Sequence, residues 1–284
     1  MKTYFAAIFD VISSKKIEKK KRFQLDLTNC ISFLNEMYKA YLIKEVLPTS
    51  GDEFEGLFSN PTSAFYYCRA LQNFVYPFKI RCGLGYGSIE YNKENWPANF
   101  LNGEAFYNAR DAINFAHKNF KDQEMIAFKS GRDLDLILNS MFDTRFIIKE
   151  SQSELARLID ILIDVSSSTF DVSTDKAKKY VFYKKFIVAK IKDLSNLNKT
   201  KFKLNNDYNE GNFDLFIKNA QPEKMELIDG LIYKVNLDKT VTQNISQLLG
   251  CSKENVRKHI NSGKIKNIRE LDYAISILFN KEFN

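Results

Sequence analysis

The spacing of apolar positions changes period along the chain, and each change predicts an element. YFAAIFDVI (4–12) is apolar throughout except for Asp10 and is followed by Ser13 and Ser14, the pattern of a buried strand. From about Lys21 to Tyr41, the residues Phe23, Leu27, Ile31, Leu34, Met37, Tyr38 and Tyr41 recur at helical steps and predict an amphipathic helix. LIKEVLPTSGDEFEGLFS predicts two strands around a turn centred on Ser50-Gly51-Asp52. A second helix is predicted over 61–75, with Pro61 in its first turn, where a missing N–H costs nothing. PFKIRCGLGYGSIEY then predicts a strand with glycines at alternate positions 83, 85 and 87, 103–120 a third helix, and MIAF a last short strand.

Strand, helix, hairpin, helix, strand, helix, strand extends the split βαβ order of ferredoxin-like folds. The expected fold class is therefore α+β: a ferredoxin-like, palm-like domain over 1–130, a mainly helical region over 131–238 and a helix-turn-helix over 239–284. In the middle, Leu155, Leu158, Ile159, Leu162 and Ile163 form one apolar stripe and 180–194 another, while the polar, Asn-rich 197–214 predicts a flexible connection. In the last segment Ile245, Leu248 and Leu249 line a helix that Gly250 closes. Ser252 caps the next helix, which Val256 and Ile260 anchor and Gly263 ends.

Composition narrows the chemistry. No apolar run is long enough to span a membrane, and the N-terminus lacks the pattern of a signal peptide, so a cytoplasmic protein is expected. The widely spaced Cys30, Cys68, Cys82 and Cys251 then read as reduced thiols. With only His117 and His259, zinc-hydrolase and histidine-triad schemes fall away. Metal chemistry would have to run on carboxylates, which favours Mg2+ or Mn2+.

Two acids stand where such chemistry would need them. Asp10 ends the first strand, and Asp52, with Glu53 beside it, sits on the hairpin; adjacent strands would bring these carboxylates together. Ordinary turn acids would give the same pattern. The alternate glycines fit either close ligand approach or tight helix packing, Arg81 is similarly ambiguous, and the basic run from Lys15 to Arg22 fits a polyanion partner or a solvated first turn. Charge is uneven: 231–284 carry nine basic and five acidic side chains, a balance of +4 within a total of +7. That balance and the helix-turn-helix spacing point to duplex DNA, with Asn255 and Arg257 suited to bases and Lys253, Lys258 and Lys264 to phosphates. A helical hairpin used only for packing or dimerisation remains the alternative.

F-D-V-I-S-S, S-G-D-E-F and K-I-R-C-G-L-G-Y-G resemble the core motifs of class III nucleotidyl cyclases and GGDEF-type diguanylate cyclases, which share a palm-like fold. FAAIFDVISSKK, SGDEFEGLF, PFKIRCGLGYGSI and GEAFYNARDAI, followed by a helix-turn-helix, resemble the SatD family. The resemblance implies Asp10 and Asp52 as metal carboxylates and Asp10, Asp52, Glu53 and Arg110 as the catalytic group. It implies that Val11, Ile12, Ser13 and Ser14, with Gly85 and Asn108, hold a nucleoside triphosphate, and that the site forms in a homodimer. Ser50 replaces the first glycine of the GGDEF signature, and Asn108 and Arg110 are two apart where class III cyclases have four. Two functions stay open: a nucleotidyl cyclase-like phosphoryl transferase coupled to DNA binding, or a non-catalytic nucleotide-sensing or dimerising transcriptional regulator.

Overall fold

The computed structural model describes residues 2–18, 20–49, 52–90, 96–166, 175–196, 210–219, 227–228, 232–233 and 239–283. Ser50 and Gly51, at the centre of the expected turn, lie outside them. The chain begins with β1 (Thr3–Val11), α1 (Lys20–Met37), β2 (Leu42–Pro48), β3 (Glu53–Phe58), α2 (Pro61–Val75), β4 (Ile80–Ser88), α3 (Glu104–Asn119) and β5 (Ile126–Lys129). These form a mixed α+β unit whose five strands lie in the order β2-β3-β1-β4-β5. Strand β1 is central and antiparallel to both β3 and β4, and β5 is added parallel to β4. Helix α2 starts as the sequence predicts: the Asn60 side chain accepts the Ser63 N–H, and Pro61 occupies the first turn.

The two faces of the sheet are built differently. On one, Ala6, Ile8 and Leu57 pack with Ala105, Phe106, Ala109 and Ile113 of α3. A Cβ at Gly85 would overlap backbone atoms of Ala105 and Ala109, and one at Gly83 would overlap Ala109 and Ile113. The alternate glycines therefore serve helix packing: they let α3 lie on the β4 backbone itself. On the other face, Tyr67 meets Phe9, Phe58 and Tyr38, and Phe5 meets Tyr86.

The remaining elements are α4 (Leu134–Glu150), α5 (Glu154–Ser166), α6 (Asp175–Asn196), α7 (Glu210–Lys218), the two-residue strands β6 (Leu227–Ile228) and β7 (Ile232–Tyr233), α8 (Lys239–Leu249), α9 (Lys253–Ser262) and α10 (Ile265–Phe283). Helix α7 corrects part of the expected flexible connection, because Phe213 and Phe216, one helical turn apart, are both buried. Residues 197–209 lie outside the described residues.

The chain divides into two compact units, Met1–Ile147 with Ala274–Asn284, and Ile148–Tyr273. Within the first, Phe279 and Phe283 join the aromatic face, against Phe128 and, for Phe283, Phe5 and Tyr86. Arg132 lies over the Tyr86 and Phe283 rings and donates to the Glu282 carbonyl. Within the second, Gly250 turns the chain at φ +63° between α8 and α9. The Ser252 hydroxyl accepts the Asn255 N–H at 3.2 Å, and Val256 and Ile260 are buried.

Candidate functional site

Cross-strand register sets the site. Asp10 on β1 stands directly opposite Glu53 on β3 and Arg81 on β4, so all three side chains project from the face that carries α3. They lie at the end of that face, where a cleft of about 430 Å3 opens. Asp52, Val11 and the turn after β1 line it from the sheet side, and Ile113, Asn114 and His117 line it from the last turns of α3.

Arg81 is the most informative of these side chains. Its Nη2 lies 3.0 Å from Asp10 Oδ2, with only 5% of the side chain exposed. Its Nε and Nη1 are buried and have no hydrogen-bond partner. Two orphaned guanidinium N–H groups beside a cleft cost free energy unless an acceptor meets them. Asp10 is pushed above the ordinary aspartate range, first by burial and then by the neighbouring Asp52 and Glu53 charges, against the opposing pull of Arg81. The cleft thus sets three carboxylates, Asp10, Asp52 and Glu53, beside the buried Arg81 guanidinium.

Glu53 is held from the other direction. Arg110 Nη1 lies 2.8 Å from both Glu53 carboxylate oxygens, and its Nη2 donates to Glu55 Oε1 at 2.6 Å. Burial raises the Glu55 carboxyl above its usual range despite Arg110. After β1, Ser13 takes the left-handed conformation at φ +56° and leads into a short 3-10 turn, Ser14–Lys16. Such a change of hand aims successive N–H groups into one concavity, the geometry of an anion nest.

The structure thus brings Asp10, Val11, Ser13, Ser14, Asp52 and Glu53 into one cleft. Its lining does not include the other expected site residues of this unit, and each is engaged elsewhere. Ile12 is buried and its N–H donates to the Lys79 carbonyl, Asn108 Nδ2 donates to the Tyr86 carbonyl, and Gly85 is covered by α3. Arg110 is committed to Glu53 and Glu55. Lys15 and Lys16, which open the basic run that fits a polyanion partner or a solvated first turn, also line the cleft, as do Asn114 and His117. For the lysines the signal was their place directly after Asp10 and the two serines; for Asn114 and His117 there was none, since only the docking of α3 brings them there. In the second unit, Asn255, Arg257, Lys258 and Lys264 are exposed, and Lys253 donates to Gln243 Oε1.

Among the described residues no group of three or more His, Cys, Asp or Glu side chains is placed to share a metal ion. The oxygen donors of Asp10 and Asp52 fit Mg2+ or Mn2+, which commonly take one or two carboxylates and complete their shell with water and phosphate oxygens. No helix among the described residues is long and apolar enough to cross a membrane.

The SatD family model matches residues 4–179. No curated protein matches the chain. Among solved structures, one described as "Structure of a bacterial light-regulated adenylyl cyclase" is 14% identical, with 44% of this chain and 74% of that chain covered and a TM-score of 0.33.

Proposed function

The chain belongs to the SatD family, and on that premise we propose that its first unit is a metal-dependent nucleotide-binding domain of the cyclase palm type. One observation carries the proposal: the buried Arg81, paired with Asp10 and holding two further N–H groups without a partner, lines a cleft that also holds Asp52, Lys15 and Lys16. A phosphate would accept from Arg81 while the carboxylates hold the cation that accompanies it. The left-handed turn at Ser13, the adjacent Lys15 and Lys16, and a cleft of about 430 Å3 also support a phosphorylated ligand of nucleotide size. The run from β1 to β4, with strand order β2-β3-β1-β4, supports the ferredoxin-like assignment.

A bound Mg2+ or Mn2+ would offset phosphate charge and favour in-line displacement. The chain's own part is to orient the phosphates by Arg81 and the β1 turn and to hold the cation by Asp10 and Asp52. Replacing Asp10 or Asp52 by Ala should weaken manganese-dependent binding of a nucleoside triphosphate in the full chain. Parental affinity in both variants would refute the site. Turnover is decided separately, by incubating the protein with each labelled nucleoside triphosphate plus Mg2+ or Mn2+ and identifying products. The engagement of Arg110 with two carboxylates favours nucleotide sensing over phosphoryl transfer, because both terminal nitrogens of that guanidinium are already occupied.

In the same proposal the second unit binds duplex DNA through α9. The supporting observation is the division of that helix: Val256 and Ile260 face inward, while Asn255, Arg257 and Lys258 are exposed beside Lys264. Changing Lys258 or Lys264 to Ala should reduce affinity for every sequence and flatten the salt slope. Arg257→Ala should cost roughly 1–3 kcal/mol on a preferred site. Absence of a retarded complex with selected random duplexes, at low and moderate salt, would leave α9 a packing or dimerisation element.

A further inference from the structure

Each of the two acids that face one another across β1 and β3 already has an arginine. Asp10 is paired with Arg81 at 3.0 Å, and both oxygens of Glu53 are met by Arg110 at 2.8 Å. Arg110 also reaches Glu55, two residues along β3 on the same face, so one guanidinium bridges two carboxylates. Asp52 is the cleft acid with no arginine partner among the described residues. Lys15 and Lys16 add positive charge at the rim.

A divalent ion arriving alone must shed hydration and compete with two guanidiniums for its ligands. An ion arriving with a polyphosphate meets a different site. The phosphate oxygens complete its coordination shell, and Lys15 and Lys16 in the cleft lining meet the phosphate charge that remains. We propose that Arg110 makes cation binding conditional on a phosphate ligand. By holding Glu53 against Glu55 it denies the cleft a second unpaired carboxylate beside Asp52, so Mg2+ or Mn2+ enters as a polyphosphate complex. Arg110 acts through Glu53 as a positioning residue and touches neither the cation nor the phosphate. The inference rests on the nucleotide-binding proposal and adds the order of entry and the residue that enforces it.

The test is equilibrium dialysis of the full chain against Mn2+ alone, inorganic tripolyphosphate alone, and both at equal concentration. The wild type should retain Mn2+ far better with tripolyphosphate than without it. Arg110→Gln frees Glu53 and removes a nearby positive charge, so retention of Mn2+ alone should rise about three- to five-fold, the scale set by a partly exposed ion pair. Glu55→Gln leaves Arg110 to Glu53 alone and removes a negative charge, so retention of Mn2+ alone should fall. Far-ultraviolet circular dichroism checks that both variants are folded. Wild-type binding of Mn2+ that ignores tripolyphosphate would overturn the inference while leaving the site standing, as would unchanged Mn2+ binding in Arg110→Gln or a rise in Glu55→Gln. If the wild type retains neither Mn2+ nor tripolyphosphate under any condition, the site assignment and this inference fall together.

Discussion

The two faces of the five-stranded sheet solve the same burial problem in opposite ways. On the α3 face the contact is backbone on backbone, made possible by Gly83 and Gly85 and by the alanines of α3. On the other face large rings fill the space, from Tyr67 and Phe9 to Phe128, Phe279 and Phe283. The difference explains where the site lies. A face closed by side chains leaves little room for charge along its length. A face closed by a helix on glycines ends where the helix ends, and Asp10, Arg81 and Glu53 occupy that end, open to a cleft.

The largest effect should come from breaking the close contact. Gly85→Val places a branched side chain into the backbone of α3. It should cost about 3 kcal/mol or more, and urea unfolding should show the cooperative transition weakened or lost. A stable, well-folded variant would mean that α3 does not rest on β4 as described. On the aromatic face, Phe279→Ala removes a fully buried ring and should cost about 3–5 kcal/mol, read as a lower urea midpoint. A loss below about 1 kcal/mol would show that the last helical turns contribute little to the first unit.

The charged end should separate stability from binding. Asp52→Ala should change stability by no more than about 0.5 kcal/mol, as expected of a partly exposed acid, yet reduce binding of manganese with a triphosphate by at least about ten-fold. Equal losses in both measurements would make Asp52 a structural residue. The smallest effect is a pH dependence. Burial raises the Asp10 carboxyl above 3.8, so the folded chain holds that proton more tightly than the unfolded chain. The stability this contributes is complete below the unfolded value and is lost as pH rises through the folded one. Across that window Asp10→Asn should gain stability relative to the wild type, measured as the difference in urea midpoint from about pH 4 upward. A difference that does not change with pH would mean that Asp10 is not desolvated in the folded chain.

Much of the chain was legible because local rules wrote it. Periodicity marked β1, α1 and α3, Pro61 marked the start of α2, and Ser252 with Gly250 marked the turn into α9. The first residues of α7 read as a loop because its apolar residues, Phe213 and Phe216, stand among asparagines and charges that otherwise suit one. Asp10, Asp52 and the serine turn announced themselves as polar residues at strand ends, where a buried charge needs a reason.

What the sequence alone determined is what neighbours in the chain decide: element type, caps, turns, and the acids and serines that close β1 and open β3. Only the tertiary structure decided which of two equal readings each ambiguous residue takes. The glycines of β4 went to α3, because a helix backbone fills the space that their missing side chains leave. Arg81 went to Asp10 because antiparallel register set them opposite one another, and Arg110 went to Glu53 and Glu55 because α3, packed on β4 and β1, brings its side chain within reach of β3. Asn114 and His117 joined the cleft through that same docking, and Phe279 and Phe283 joined the first unit from the far end of the chain. These contacts span from about twenty to nearly three hundred positions, a range over which hydrophobic period and capping carry no information, since they act only within a few residues.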